Sequence, residues 1–281
     1  MKHLSFLLGC VVTSAGIPPQ GVAAQEGIFP DKNLAAVVRK CVFEKRDNDQ
    51  PLVEDDVATI SAIHGVGAGI KDLTGLEKCR SLAESNFENN EIQDISAIKD
   101  LENLQSLNLA RNRIRDIGAV AKLTGLQYVH LAHNRIRDLK PLAKLANLRS
   151  LYLSDNQIDD ASPLAGLGKL GSLYLDGNAL GDISPLAKLE ALRSLDLRGN
   201  QVADLAPLKK LKEWKYLFLD GNRVTDLSVL IEMGTKDKAG DQRFAPFWSI
   251  YLSGNPLTDE AKKTQLAQLR RVAKKVVFKE K

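Results

Sequence analysis

Apolar residues in this chain fall at a fixed set of offsets. Leu104, Leu107, Leu109, Ile114, Ile117, Val120 and Leu123 form one set, and it restarts 22 residues later at Leu126. The leading Leu recurs at Leu148, Leu170 and Leu192, with Trp214 next in step. A polar position keeps the same interval: Asn90, Asn112, Asn134, Asn156, Asn178, Asn200 and Asn222. The Leu-x-x-Leu-x-Leu start reads as a short strand with one edge inward, and the later apolar positions continue inward around a turn. One such coil cannot bury its own apolar ladder, so neighbouring coils must stack.

The polar positions predict how each coil closes. The Asn falls where the chain leaves the strand and its amides lose their sheet partners, and a side-chain amide offers donors and an acceptor to replace them. An Asp follows four residues later (Asp94, Asp116, Asp138, Asp160, Asp182, Asp204, Asp226 and Asp259) and is expected to cap a short helical turn. Pro141, Pro163, Pro185 and Pro207 then open Pro-Leu steps, where a missing amide hydrogen does little harm.

The pattern LxxLxLxxNxIxDI followed by PLxxL resembles the 22-residue leucine-rich repeats of the internalin class. The resemblance implies an α/β solenoid, curved, with a concave parallel sheet, short helical turns on the convex side and helical caps at both ends. The repeats are expected over residues 60–258, with a degenerate first coil in which Ala68 stands where Asn belongs. Fold alone assigns no function.

The flanks carry other signals. Residues 1–24 read as a secretory signal peptide: Lys2 is followed by the apolar run Leu4 to Ala15, and Val22-Ala23-Ala24 precedes the expected cut. The alternative is a lipid anchor, since Leu7-Leu8-Gly9-Cys10 has the form of a bacterial lipoprotein box. Export, to a secreted or periplasmic location, is therefore expected. Residues 25–59 form a helical N-terminal cap with Leu34, Val37, Val38, Cys41 and Val42 on one face. Cys41 and Cys79 are both expected inward and could meet; export permits a disulfide between them, and buried free thiols are the alternative. The interval from Asn222 to Asn255 is 33 residues, so an insertion of eleven is expected to bulge as a polar segment at about residues 232–246. Residues 259–281 form a C-terminal helical cap, with a final edge strand at Val276 to Phe278. With 26 residues after Asn255, no further domain is expected.

Charge narrows the functional classes. The net charge is +4, and the last 23 residues hold eight Lys or Arg against three acids, which leaves the body of the chain near neutral or acidic. No nucleic-acid stripe is expected. The basic C-terminal face is the site a polyanion or membrane surface would use.

Candidate binding residues follow from strand alternation, which sends the second and fourth residues after each leading Leu outward. This places Tyr128, His130, Tyr152, Tyr174, Asp196, Tyr216, Phe218 and Tyr251 on the concave sheet, with Asp176 and Asp220 in the next outward row. All five tyrosines of the chain are among them. Tyrosine offers rigid contact area with a polar tip, which suits partner recognition. The expected function is a non-catalytic, monomeric module for protein–protein recognition, with carbohydrate or cell-surface polyanion binding as the alternative. No cofactor, metal site or transmembrane segment is expected. His130 and His133 project differently and should not share a metal.

Overall fold

The computed structural model describes residues 27–280, so the expected signal peptide and Cys10 lie outside the described residues. Each 22-residue block makes one coil. Its strand is three residues long because only the central side chain of each strand points into the core before the chain must turn. Ten strands follow in chain order: β1 Ala62–His64, β2 Glu84–Asn86, β3 Ser106–Asn108, β4 Tyr128–His130, β5 Ser150–Tyr152, β6 Ser172–Tyr174, β7 Ser194–Asp196, β8 Tyr216–Phe218, β9 Ser249–Tyr251 and β10 Lys275–Val277. They form one parallel sheet in the order β1 to β10. Registers are shifted by whole coils, so Tyr152 lies beside Tyr174 and Ser150 beside Ser172. Short 3-10 turns such as Ser162–Gly166 and Ser184–Lys188 line the opposite side. Leucine, isoleucine and valine side chains from both layers fill the space between them.

The asparagine positions join coils together. The Asn134 amide donates to Leu109 O of the preceding coil at 2.9 Å and to Leu131 O of its own at 3.1 Å. Its Oδ1 accepts from Ile114 N, again in the preceding coil, at 2.9 Å. The same arrangement repeats at Asn112 and Asn200, forming a buried ladder along the stack. Losing one rung would leave buried main-chain groups without partners, at about 1–3 kcal/mol. The aspartates act as expected from Asp94 to Asp226: Asp116 Oδ1 accepts from Gly118 N at 2.7 Å and Asp182 Oδ1 from Ser184 N at 2.7 Å. At Asp259 the expectation fails. Thr258 Oγ1 takes the capping role there, accepting from Ala261 N at 3.1 Å.

The N-terminal end contains helices α1 Lys32–Arg39 and α2 Glu54–Val57. Asp31 joins α1 to the first coil. Its Oδ1 caps the helix by accepting from Asn33 N and Leu34 N, while its Oδ2 accepts from Lys71 N at 2.7 Å and Asp72 N at 3.1 Å. Partial burial pushes this carboxyl up, but the four amides outweigh it and hold the group below the usual aspartate value. Because α1 stops at Arg39, Cys41 leaves its apolar face and is exposed. Cys79 is buried, and burial pushes its thiol up to about 12. Both cysteines are free thiols, so the structure contains no Cys41–Cys79 bridge.

The insertion is largely exposed over Thr235 to Arg243, as its polarity predicts, but it is anchored at both ends. Its first part belongs to helix α3, Ser228–Ala239, which buries Leu230 and Met233 and packs on helix α4, Leu266–Val272. At Gly234 the helices meet so closely that a Cβ would lie 2.6 Å from the Val272 side chain. Asp237 then closes the return by accepting from the amides of Arg243, Phe244 and Ala245. Phe244 seats edge-on against Trp248, with ring centroids 5.2 Å apart. A π-helical turn, Ala261–Gln265, precedes α4, so the expected C-terminal helix is divided.

Candidate binding face on the concave sheet

The outer side of the sheet is arranged in columns because the coils stack without stagger. The first residue of each strand forms one column and the third forms the next, with the buried central residue between them. The third column brings His130, Tyr152 and Tyr174 together: their ring centroids are 4.9 Å apart for His130–Tyr152 and 4.8 Å for Tyr152–Tyr174. The two tyrosine planes differ by 12°. Tyr128, from the first column, closes this group at 5.4 Å from Tyr152. Burial lowers the His130 pKa and so favours the neutral imidazole, with the Glu88 carboxylate opposing it in part. Burial also pushes the Tyr174 hydroxyl above its usual value, with Tyr152 and Asp196 adding to the effect.

A second group comprises Tyr216, Phe218 and Tyr251, with centroids 6.0 Å apart for Tyr216–Phe218 and 4.7 Å for Phe218–Tyr251. Here the protein supplies its own cations. The Arg198 guanidinium lies 5.2 Å from the Phe218 centroid, Lys215 Nζ 5.5 Å from Tyr216 and Lys275 Nζ 5.1 Å from Tyr251.

Asp196 stands between the groups and corrects the sequence reading. It is in the outward column, yet its side chain is fully buried. Arg198 folds over it, with Nε 2.9 Å from both carboxylate oxygens and Nη2 2.5 Å from Oδ2. Asp196 is thus an anchor for Arg198 rather than an exposed acid. Burial pushes its carboxyl above the usual value, and the hydrogen bonds from Arg198 offset only part of that rise. The sequence signal was the i, i+2 spacing, which puts Asp196 and Arg198 on one face of the strand exit. Asp176 and Asp220 flank the pair; Ser154 Oγ donates to Asp176 Oδ1 at 2.5 Å and Ser253 N to Asp220 Oδ1 at 2.8 Å.

No group of His, Cys, Asp or Glu among the described residues could hold a metal ion. His130 lies in the aromatic group, whereas His133 sits in the following turn, its Nδ1 3.1 Å from Asp155 Oδ2. An open groove of about 810 Å³ lies on the convex side between the turns around Asp94 and Asp116. Those two carboxylates are already engaged by capping amides. No helix among the described residues is long and apolar enough to cross a membrane.

Comparison with known proteins bears on this arrangement. The family description Leucine Rich repeats (2 copies) matches in overlapping stretches from residue 102 to residue 232. Curated protein sequences gave no match. Among solved structures, internalin C2 of Listeria monocytogenes is 32% identical, with a TM-score of 0.71, over 73% of this chain and 91% of that one. A leucine-rich repeat protein of Leptospira interrogans is 20% identical, with a TM-score of 0.62, over 73% of this chain and 56% of that one. The leucine-rich repeat ectodomain of a plant membrane receptor kinase from Arabidopsis thaliana, solved in complex with Casparian strip integrity factor 2, is 20% identical. It matches 75% of this chain and 26% of its own length with a TM-score of 0.60. The last two establish likeness of fold. From the repeat match, the parallel solenoid and the extent of the likeness to internalin C2, the chain belongs to the internalin-like leucine-rich repeat family.

Proposed function

We propose that this chain is an exported, non-catalytic binding module that recognises a protein partner with its concave aromatic and acidic face. The observation that carries the reading is the contiguous aromatic group formed by Tyr128, His130, Tyr152 and Tyr174 on an open sheet. These side chains are half-exposed and lie outside the core that holds the coils together. A few such aromatic residues commonly dominate interface energy, at about 2 kcal/mol or more each when truncated. Acids at Glu88, Asp176 and Asp220 border the same surface.

The test compares two variants against a partner purified on the wild-type chain. A Tyr152→Ala/Tyr174→Ala/Phe218→Ala variant should keep its unfolding midpoint nearly unchanged and weaken binding by about a hundredfold or more. A variant neutralised at Lys262, Lys263, Arg270 and Arg271 should bind normally. Full affinity in the first with loss in the second moves the site to the basic C-terminal cap. Export rests on residues 1–24 and is tested by intact mass: protein recovered from its native host should begin at Gln25. A lipidated chain beginning at Cys10 would replace secretion with anchoring.

A further inference from the structure

Over β5 to β8 the two margins of the concave face carry opposite charge. Arg149, Arg193 and Lys215 immediately precede their strands on one margin, whereas Asp176 and Asp220 follow theirs on the other. Arg198 does not reverse the acidic margin, because Asp196 neutralises it. Between the cationic margin and the Tyr152–Tyr174 pair runs a trough of small residues, Ser150, Ser172 and Ser194, in direct register. All three are half-exposed, and their hydroxyls bond to no other described residue.

On this margin the Lys215 head group lies 5.5 Å from the ring of Tyr216, the first outward residue of its strand, and Arg149 lines an open groove with Gln127 and Asn147. The same register places Arg149 beside Ser150 and Arg193 beside Ser194. Both arginines are exposed and form no ion pair among the described residues. They are two strand spacings apart, about 10 Å. Gly171 stands between them and adds no side chain to the margin; a Cβ there would touch the carbonyl oxygens of Ala191 at 3.7 Å and Arg149 at 3.8 Å.

We infer that this trough seats the carboxylates of an extended segment of the protein partner, on the Ser150, Ser172 and Ser194 hydroxyls and the Arg149 and Arg193 guanidiniums. The inference rests on the binding-module reading above. Opposite margins call for a ligand whose charge is one-sided. An extended peptide supplies that directly, since alternate side chains point to opposite sides: acids reach the arginine margin, bases reach Asp176 and Asp220, and the main chain lies over the tyrosine rings. A sulfated glycan is charged all round and would be repelled by the acidic margin.

The probes are a synthetic peptide alternating Glu and Lys, long enough to cross β5 to β8, a block peptide of the same composition, and heparin. Wild-type chain should bind the alternating peptide at least about tenfold more tightly than the block peptide, with strong salt dependence. Amide shifts in a nuclear magnetic resonance titration should concentrate at Ser150, Ser172 and Ser194. Arg149→Ser/Arg193→Ser should reduce that affinity at least about tenfold with an unchanged circular dichroism spectrum, while the C-terminal cap variant should be unaffected. Equal binding of the two peptides, binding of heparin alone, or full affinity in the arginine variant overturns the inference. If the arginine variant keeps the natural partner while Tyr152→Ala/Tyr174→Ala loses it, the inference falls and the binding face stands. If both variants keep the partner, the binding face falls as well.

Discussion

The coils up to Asp155 and those after it share one frame and finish the strand differently. Every coil from β2 to β9 turns through a left-handed residue just before its ladder asparagine. In the first half that residue is Asn89, Arg111, His133 or Asp155, with φ between 52° and 59°. In the second half it is Gly177, Gly199, Gly221 or Gly254. The first half gains side chains at this rim, and they pair between coils: His133 with Asp155 at 3.1 Å and Arg111 with Glu88 at 3.8 Å. Exposed pairs of this kind contribute about 0–1 kcal/mol, which is no larger than the cost of holding a side chain in left-handed backbone, roughly 1–2 kcal/mol. The pairs thus offset at most part of the strain at the rim of the first half.

The aromatic surface divides at nearly the same place. Tyr128, His130, Tyr152 and Tyr174 have no cation from their own chain over their rings among the described residues, whereas all three aromatics of the second group do. The first group thus presents rings without a cation, and the second presents a cationic edge. The buried ladder and core set the main chain; the turn residue and the outward columns are free to differ.

The largest expected effect tests what the halves share. Asn134→Ala and Asn200→Ala each remove a ladder residue with equivalent partners. Both should lower unfolding free energy by about 1–3 kcal/mol in chemical denaturation. A midpoint that moves in one half only would show that the ladder is not the common frame.

A smaller effect separates the halves. Gly199→Ala places a Cβ at φ 63° with no atom nearer than 3.8 Å, so it measures left-handed strain without a clash. It should cost about 1–2 kcal/mol. Arg111→Gly relieves similar strain but gains unfolded-state freedom, so its unfolding free energy should change by less than about 0.5 kcal/mol. Equal losses in the two variants would remove the distinction drawn at the rim.

The smallest effect is read by titration. Asp31, at the N-terminal end, is held below the usual aspartate pKa, and Asp196, in the second half, is pushed above it. Carboxyl carbon resonances should therefore titrate on opposite sides of that value. For Asp31 the stabilisation is present above the unfolded pKa and is lost as pH falls through the lower folded one. For Asp196 the sign reverses: the folded state takes up the proton first, so acidification from above its folded pKa to below the unfolded value favours folding at that site. Asp31→Asn should flatten the acid limb of the stability curve. Asp196→Asn should leave that limb steep while releasing Arg198 from the sheet.

Several features could be read from residues alone because they repeat. The 22-residue interval defined the coil, and alternation within it defined which residues face outward. Ten parallel strands and a tyrosine-bearing outer column follow from that periodicity, since each position meets the same surroundings in successive coils. What occurs once was decided by packing. Asp196 is outward by alternation and buried because one neighbouring arginine folds over it. The segment at about residues 232–246 is polar in sequence, yet its first part is helical because α3 packs on α4, with Gly234 against Val272 more than thirty residues later in the chain. Cys41 continues an apolar helical spacing, but the helix ends before reaching it. Periodicity reports the environment a position shares with its equivalents; rotamers, helix ends and long-range docking depend on particular neighbours, which only the tertiary structure brings together.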